Sequence, residues 1–311
     1  MNNSWLIKID DDIYPSILRE IYNPPCELFY KGKIELLKKT CIAIVGTRRN
    51  TDYGEFIVEK IVEELAILDI AIVSGLAKGI DTIAHKAALK NNLPTIAVLG
   101  SGINNIYPKS NNGLAAEIEK KGLILSEYED LTEPIDFQFP QRNRIISGLS
   151  IAVIVIEAPE KSGSLITAKL ALDQNREIFT VPGDISRETS LGPLKLMQEC
   201  GAYPISSGKE VIEILHKQPS LFKKKIAERS PEIIPQNIPK IHIQKQIKPH
   251  YNLTQAQQKI FATLSKYKVS YLEKIQSKTK LEPSIILSNL SILEIQGLAK
   301  SAYGGYVRCL H

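Results

Sequence analysis

Two arginines and a small polar turn lie within one short segment of the chain, residues 138–168. Arg142 and Arg144 precede an apolar run at residues 151–156, and the serine–glycine–serine turn at residues 162–164 follows it. A helix that begins at a small, glycine-bearing turn presents backbone N–H groups and the positive end of its dipole. These features predict an anion site, and the arginines favour a ligand that is rich in phosphate.

Similar polar turns follow three other apolar runs of the chain. Glycine in such a turn lets the backbone approach a ligand closely, although a tight strand-to-helix turn requires glycine as well. The guanidinium of Arg48, in the first turn, is able to bind a phosphate through two parallel hydrogen bonds. Because four such turns occur together with arginines, we favour a phosphate site over the alternative that the glycines serve only the geometry of the turns. The candidate residues in the turns are Gly46, Thr47, Arg48, Ser74, Gly75, Gly79, Ser101, Gly102, Ser162, Gly163 and Ser164.

The segments that carry these turns alternate between strand and helix patterns. Short apolar runs rich in valine and isoleucine predict buried parallel strands. Their alternation with helices is typical of a doubly wound, mostly parallel α/β sheet, in which ligands bind beyond the carboxyl ends of the strands. The predicted strands are residues 41–45, 71–74, 95–100, 123–127, 151–156 and 177–182, and the predicted helices are residues 53–68, 80–90, 114–121, 142–149 and 165–175.

Two common nucleotide-binding signatures are absent from the sequence. The first predicted strand is not followed by GxGxxG, and the second ends in Ser74 rather than in an acidic residue that would hold a ribose hydroxyl. No GxxxxGK[ST] segment occurs either. These absences argue against a nicotinamide-dependent enzyme and against a P-loop ATPase, and we expect no cofactor.

No set of nucleophile, base and acid is apparent. His85 lies one turn after Asp81 on a predicted helix, so the two side chains form either an acid–base pair or a packed histidine oriented by a carboxylate. The packed histidine is favoured. Glu157 is either a catalytic carboxylate or a partner that orients Arg142 or Arg144, and pairing is favoured. We therefore expect no catalytic residue and no metal site.

The net charge of +5 is unevenly distributed along the 311 residues. Residues 1–215 hold 23 basic and 29 acidic side chains, so the basic excess lies in the last third. An acidic domain binds a polyanion only if its cations are gathered at one site. No apolar run approaches the roughly 18 residues of a membrane helix, and no secretory pattern opens the chain. Four widely spaced cysteines complete the expectation of a cytoplasmic protein with reduced thiols and no membrane contact.

The composition predicts four parts of the chain. Residues 1–40 are a lead-in that packs on the core, and residues 41–215 are the main domain. Residues 216–250 hold five prolines and eight basic side chains, which indicates a flexible linker. We interpret the basic side chains of this linker as part of a solvated tether, and extra attraction to nucleic acid is the less favoured role. Residues 251–311 form a further small domain.

The last part of the chain predicts a winged-helix domain. Thr254 and Ser270 each begin a capping-box pattern, and a third helix is expected over residues 283–296. A glycine pair at residues 304–305 predicts a hairpin. The third predicted helix has no lysine or arginine, so contact with protein, or nonspecific contact with phosphate, is favoured over base reading.

Eight segments hold the most distinctive motifs: GTRRNTDYG (46–54), SGLAKGIDTIAH (74–85), AVLGSGINNIYP (97–108), SEY (126–128), FPQRNRIISGLS (139–150), EAPEKSGSLITA (157–168), VPG (181–183) and GA (201–202). Their order and spacing resemble the DNA-processing protein A (DprA, also called Smf) family over residues 5–215. Residues 251–311 resemble the extra domain that many members carry. The helical module often found in front of the main domain is not expected here, because the chain starts almost at the matching core.

The resemblance implies an extended Rossmann-like DNA-binding domain at residues 41–215 and a protein that is not an enzyme. Members of the family bind single-stranded DNA, form homodimers and load a RecA-type recombinase onto the strand in natural transformation. The motifs add Arg142, Asn143 and Arg144 to the turn residues as DNA or phosphate contacts. Gln141 stands where many relatives have a basic residue, which predicts a weaker grip on DNA there.

Four aromatic residues fall in predicted loops of the matching motifs, namely Tyr107, Tyr128, Phe137 and Phe139. Proteins that bind single strands commonly stack bases on aromatic rings beside a basic groove. Loop packing is the favoured role for any one of these rings. Phe139 is the preferred candidate for stacking because Arg142 follows it closely.

The main alternative is an enzyme of a related Rossmann-like class, the cytokinin-activating phosphoribohydrolases, which hydrolyse nucleoside monophosphates. Their signature is a glycine-rich loop followed by a catalytic glutamate in a helix. The corresponding helix here reads SGSLITAKLALDQ and has no glutamate in its first turns. A third possibility, a regulatory adaptor that acts through residues 251–311, would leave residues 1–215 inactive alone.

Overall fold

The chain divides into two compact units, residues 1–230 and residues 231–311. The predicted linker lies outside the described residues from position 218 onward, and so does Gly304 of the predicted hairpin. The structure is a computed structural model, and the residues that it describes are 5–217, 253–264, 270–296, 298–302 and 305–308.

A nine-stranded sheet organises the first unit. Its strands are β1 (Trp5–Lys8), β2 (Glu27–Gly32), β3 (Thr40–Val45), β4 (Ile70–Ser74), β5 (Thr95–Leu99), β6 (Leu123–Ser126), β7 (Ala152–Val155), β8 (Glu177–Thr180) and β9 (Tyr203–Pro204). They lie in the order β1-β2-β6-β5-β4-β3-β7-β8-β9. From β6 to β9 in this order every neighbouring pair is parallel, which confirms the predicted doubly wound, mostly parallel sheet.

The N-terminal lead-in is part of the sheet rather than a segment that only packs on it. β2 pairs antiparallel with β6, and β1 pairs antiparallel with β2. Only Leu28 of β2 is buried, and Glu27 and Lys31 interrupt its apolar pattern, so the run is too weak to predict a strand from sequence. Its position covers the edge of β6, which would otherwise expose unpaired backbone groups.

Helices cover both faces of this sheet. They are α1 (Ser16–Arg19), α2 (Asp52–Leu65), α3 (Ile80–Lys90), α4 (Asn112–Lys121), α5 (Gln138–Gly148), α6 (Gly163–Asp173), α7 (Glu188–Cys200) and α8 (Gly208–His216). Alternate residues of β3 serve the two faces: Ile42 and Ile44 pack with α2 and α3, whereas Ala43 and Val45 pack with α5 and α6. The strands read as continuous apolar runs because both faces are buried.

The strand order reverses at β3. The chain builds β4, β5 and β6 on one side of β3 and then returns to place β7, β8 and β9 on the other side. A crevice therefore opens between the carboxyl ends of β3 and β7, which is where sheets of this kind hold their ligands.

The described residues of the second unit form three helices and a hairpin. They are α9 (Gln255–Thr263), α10 (Leu272–Thr279), α11 (Pro283–Ile295), β10 (Ala299–Ala302) and β11 (Gly305–Arg308). The capping box at Thr254 is confirmed, because its side chain and that of Gln257 each bond the other's backbone N–H. The box predicted at Ser270 is wrong, because the backbone of Ser270 pairs with Tyr306 instead. The winged-helix assignment stays a prediction.

Three properties of the described residues bear on function. None of their helices is long and apolar enough to cross a membrane. They contain no group of histidine, cysteine and acidic side chains that would suit a metal ion. Cys26, Cys41 and Cys200 are free thiols, and Cys309 lies outside the described residues.

Candidate functional site

Backbone hydrogen bonds join the loops at the carboxyl edge of the sheet. The N–H of Thr47 donates to the carbonyl oxygen of Glu157 at 2.6 Å, and the N–H of Ile80 donates to that of Thr47 at 3.1 Å. A Cβ on Gly46 would lie 2.6 Å from Ile80 Cγ1, and one on Gly79 would lie 2.3 Å from the Thr47 carbonyl oxygen. Both glycines therefore allow the start of α3 to pack against the turn after β3.

Glu157 fills the crevice between β3 and β7. Its buried carboxylate accepts hydrogen bonds from the N–H and the hydroxyl of Thr51, at 2.9 and 2.7 Å. A Cβ on Gly54 would lie 2.3 Å from this carboxylate, so the first turn of α2 closes directly onto it. The expected pairing with Arg142 or Arg144 is wrong, because Thr51 at the start of α2, and the Thr189 hydroxyl at 3.4 Å, supply the donors. A carboxyl group of the protein thus bonds the start of the helix after the first parallel strand, where such folds commonly bind a nucleotide phosphate.

Arg142 is only 4% exposed, and its guanidinium bonds the backbone. Its Nη1 donates to the carbonyl oxygens of Gly75, at 2.6 Å, and Val98. Asp81 accepts hydrogen bonds from the N–H groups of Gly75 at 3.0 Å and Ala77 at 3.4 Å. Burial lowers the pKa of Arg142 to about 10 and raises the pKa of Asp81, and the opposite charges oppose both shifts. We call this arrangement the Arg142–Asp81 clamp; it fixes the turn after β4.

Two further polar side chains near the clamp bond inside the protein. Ser74 is fully buried, and its hydroxyl donates to the Ile44 carbonyl oxygen at 2.7 Å. Nδ1 of His85 lies 2.7 Å from the hydroxyl of Thr95. Burial, with a smaller effect of the nearby guanidinium, lowers the pKa of His85 to about 3. The histidine is packed as the sequence favoured, but the expected contact with Asp81 is wrong because Thr95 bonds the ring.

A cation and two aromatic rings form a partly exposed cluster at this edge. The guanidinium carbon of Arg48 lies 5.5 Å from the ring centre of Phe139, and the ring centre of Tyr107 lies 5.6 Å from it. Both distances suit attractive ring contacts. A Cβ on Gly100 would lie 2.8 Å from the Phe139 ring, which therefore rests on the glycine. Phe139 lies in α5 rather than in the predicted loop, because the helix begins one turn early, at Gln138.

The first turn of α6 is open on its outer side. The Ser162 hydroxyl accepts the N–H of Ser164 at 3.3 Å, and no acidic residue lies in this turn. Gly163 is exposed, with no atom within 4 Å of the place where a Cβ would stand. The side-chain amide of Asn143 donates to the Gly163 carbonyl oxygen at 3.2 Å, which ties α5 to α6.

Arg144 makes a separate ion pair. Its Nη2 lies 2.5 Å from a carboxylate oxygen of Glu127. Arg144 and Gln141 line an open cavity of about 550 Å³ beside the N-terminal strands. Of the remaining predicted aromatic residues, Phe137 is exposed just before α5, and burial raises the pKa of the partly buried Tyr128.

The turn after β5 is packed into the protein. The Ser101 hydroxyl donates to the Asn105 carbonyl oxygen at 2.6 Å, and the N–H of Gly102 donates to that of Thr132 at 2.8 Å. A Cβ on Gly102 would lie 2.3 Å from the Glu129 carbonyl oxygen. These two predicted residues therefore hold one loop against another.

The structure divides the predicted residues by accessibility. Those at least partly exposed are Gly46, Arg48, Gly79, Phe139, Ser162 and Gly163. Those that are buried are Thr47, Ser74, Gly75, Ser101, Gly102, Arg142, Asn143, Arg144 and Ser164. The sequence-based list omits two exposed lysines, Lys78 and Lys161, although each stands next to a predicted turn residue.

The comparison with known proteins decides the family. A family model described as DNA recombination-mediator protein A matches residues 5–216. The chain belongs to this family. Over 202 residues the chain is 48% identical to DNA processing protein DprA of Streptococcus pneumoniae. The match covers 65% of this chain and 71% of the relative.

Two solved structures of the family agree with this assignment. The X-ray structure of DprA from Streptococcus pneumoniae matches with a TM-score of 0.66 and 47% identity, covering 68% of this chain and 74% of the other. DNA processing protein A from Helicobacter pylori, solved to describe its single-stranded DNA binding mode, matches with a TM-score of 0.63 and 33% identity. That match covers 70% of this chain and 97% of the other.

His85 predicts a measurable dependence of stability on pH. Its pKa is about 3 in the folded protein against 6.5 as the ordinary value, so the unfolded chain binds a proton first as the pH falls. Between pH 6.5 and pH 5 the wild type should lose about 1.5 kcal/mol more unfolding free energy than His85→Gln. Urea unfolding at several pH values measures this difference. Equal pH profiles for wild type and His85→Gln would contradict the assignment.

Proposed function

We propose that this protein binds single-stranded DNA at the carboxyl edge of its nine-stranded sheet and catalyses no reaction there. The observation that carries the proposal is the cluster of Arg48, Tyr107 and Phe139, a cation beside two aromatic rings. A positive charge for the backbone and ring faces for the bases are what a single strand requires. The Helicobacter pylori relative, whose structure describes single-stranded DNA binding, supports the same use of this fold.

The proposed contacts follow from accessibility. Arg48 would bind a phosphate, and Phe139 and Tyr107 would meet bases. The exposed N–H groups around Gly163, at the start of α6, would donate hydrogen bonds to a second phosphate. Lys78 and Lys161 would add to the attraction from the neighbouring turns.

The predicted site residues that are buried would hold the surrounding loops in place. The Arg142–Asp81 clamp holds the turn after β4, and the hydrogen bond of Asn143 holds the start of α6. Arg144 would join the DNA contacts only by leaving Glu127. The loops beneath the bound DNA would be shaped by four further residues, namely Ser74, Gly75, Ser101 and Gly102.

The enzyme alternative is less well supported. A phosphoribohydrolase must place a nucleotide phosphate and a catalytic carboxylate at this edge of the sheet. Here Glu157 is bound by Thr51 within the crevice, and the first turn of α6 holds no acidic residue. Release of free base from nucleoside monophosphates by the purified protein would overturn our view that it is not an enzyme.

We further infer a homodimer that acts in the cytoplasm and passes its DNA to a RecA-type recombinase. The family assignment supports this role, and so do the exposed Arg48, Lys78 and Lys161 in the turns at the carboxyl edge of the sheet. The domain boundaries at residues 215 and 250 belong to the same proposal.

The recombinase role predicts a functional assay. On single-stranded DNA covered by a single-strand-binding protein, the full chain should shorten the lag before a RecA-type recombinase hydrolyses ATP. Arg48→Ala should leave the lag long. The proposal fails if the wild-type protein binds the strand but never changes the lag.

Removal of the Arg48 charge predicts a change in salt dependence. Arg48→Ala should weaken binding of single strands roughly tenfold at low salt, equally for all base sequences. The slope of log K against log salt should become shallower by about 0.7, since one phosphate contact is lost. Fluorescence anisotropy at several salt concentrations measures both effects. Lys121→Ala removes an exposed charge at the opposite edge of the sheet and should change neither; an unchanged slope for Arg48→Ala contradicts the phosphate contact.

Stacking on Phe139 predicts a loss that depends on the presence of bases. Phe139→Leu keeps an apolar group over Gly100 but removes the ring face, and should cost about 1–3 kcal/mol of binding to a normal strand. On an abasic strand of equal length, variant and wild type should bind alike. Phe56→Leu, at an exposed ring on α2, is the matched control. An equal loss on both strands would show that Phe139 has only a structural role.

A further inference from the structure

The open cavity of about 550 Å³ beside the N-terminal strands is a second candidate site. It shares no lining residue with the cluster of Arg48, Tyr107 and Phe139, and its volume suits a small molecule. We call it the Cys26 cavity. Its lining includes five charged side chains and one thiol, namely Lys8, Asp10, Glu27, Glu127, Arg144 and Cys26.

Arg144 brings unbonded donors to the Cys26 cavity. The residue is only 9% exposed, and its Nη2 pairs with Glu127. Its Nε and Nη1 are buried and have no hydrogen-bond partner among the residues that the structure describes. Leaving buried donors of a charged group unbonded is costly, so Arg144 favours a ligand that carries a carboxylate or another anionic acceptor.

The acidic side chains of the cavity disfavour a ligand that is only anionic. Three carboxylates line the cavity beside two cations. Glu27 lies 3.6 Å from Nζ of Lys8 and Glu127 pairs with Arg144, so Asp10 remains without a salt bridge in the described part of the chain. A carboxylate alone would add to this negative excess, whereas an ammonium group on the same ligand would offset it. The lining therefore suits a zwitterion.

Cys26 places a free, exposed thiol at the cavity. The hydroxyl of Tyr14 donates at 2.8 Å to the carbonyl oxygen of Pro25, the residue before Cys26. Burial raises the pKa of Tyr14, and the charges of Arg144, Glu127 and Cys26 act on the same hydroxyl. The thiol and the Arg144–Glu127 pair therefore lie near one buried hydroxyl.

The other described cysteines are placed differently. Cys41 is buried, and burial raises the pKa of its thiol to about 12, which makes it unreactive. Cys200 is partly exposed but does not line the Cys26 cavity. Among the described thiols, Cys26 is thus the one that is accessible both to solvent and to a molecule in the cavity.

We propose that Cys26 is reversibly S-thiolated by cysteine or by a small cysteinyl peptide. The carboxylate of the added group would bind the unbonded nitrogens of Arg144 after a small rotation of the guanidinium, and its ammonium group would bind the carboxylates of the cavity. A molecule that carries a thiol, a carboxylate and an ammonium group matches this lining. The proposal does not depend on DNA binding by the first unit.

The reaction is a thiol–disulfide exchange with a low-molecular-weight disulfide of this class. The Cys26 thiol loses its proton, and its sulfur attacks one sulfur of the disulfide. The new bond to Cys26 Sγ forms as the disulfide bond of the reagent breaks, and the released half leaves as a thiolate that takes up a proton. Cys26 is oxidised and the released half is reduced, so no other oxidant is needed. Excess free thiol reverses the exchange.

Three disulfides with different charged groups test the proposal on the full chain. Cystine carries carboxylates and ammonium groups, cystamine carries ammonium groups only, and dithiodipropionate carries carboxylates only. Peptide mass spectrometry gives the rate of modification at each cysteine. Relative to an exposed control thiol, Cys26 should favour cystine roughly tenfold over either other reagent, because only cystine offers partners both to Arg144 and to the acidic side chains.

The control thiol is Ser186→Cys in a Cys26→Ser background. Ser186 is exposed, and its neighbours in sequence Asp184, Arg187 and Glu188 leave one acidic side chain in excess, as in the cavity. The rates at this thiol give the intrinsic reactivity of the three disulfides in similar charge surroundings.

Two outcomes of the reagent series overturn the proposal. An equal reagent preference at Cys26 and at the control thiol would show an exposed cysteine without a binding site. A preference of Cys26 for cystamine or for dithiodipropionate over cystine, again relative to the control, would show that the cavity does not recognise a zwitterion.

Arg144→Gln tests the carboxylate contact by itself. The variant should slow the reaction of Cys26 with cystine roughly tenfold and leave its reaction with cystamine unchanged. Equal slowing with both reagents would contradict the contact between Arg144 and the carboxylate. If the variant does not fold, the reagent series on the wild-type chain still decides between a zwitterion site and an exposed cysteine.

Discussion

The buried Arg142–Asp81 clamp is the interaction on which the carboxyl edge of the sheet depends. Burying a guanidinium is costly unless its donors are bonded and its charge is compensated. Here Nη1 donates to the carbonyl oxygens of Gly75 and Val98, and Nε donates to the side-chain oxygen of Asn143. The nearby carboxylate of Asp81 compensates the charge. The same two side chains hold the peptide of Gly75 by its oxygen and by its N–H. The turn after β4 consequently has a fixed shape, and α3 begins from it at a fixed place.

That fixed start of α3 supports the surface where we propose that DNA binds. The N–H of Ile80 bonds the turn that carries Arg48, and Gly79 lets the two segments touch. Arg48 in turn lies against the ring of Phe139, which rests on Gly100. A change in the buried clamp would therefore reach an exposed cation through three close contacts, without any direct contact between Arg142 and a ligand.

Glu157 distinguishes this crevice from the nucleotide sites common in doubly wound sheets. The crevice where the strand order reverses is open to phosphate in most doubly wound sheets, because a helix N-terminus points into it. Here a carboxylate of the protein already bonds that N-terminus through Thr51. The exposed groups lie outside the crevice, along the loops, which suits an extended strand better than a small nucleotide.

The sequence by itself determined the doubly wound sheet, the helix that starts after Gly79 and the capping box at Thr254, because apolar periodicity and capping are local signals. It also carried the motifs of the family. It did not reveal β2, whose strand character comes from the edge of β6 and not from its own pattern.

Only the tertiary structure decided the roles of the charged side chains. Arg142 and Arg144 stand two residues apart on one helix, yet one bonds backbone at the ends of β4 and β5 and the other pairs with Glu127. Glu157 bonds Thr51, more than a hundred residues away in sequence. Such choices depend on which distant loops the fold brings within hydrogen-bond distance, and no spacing within a single segment records that.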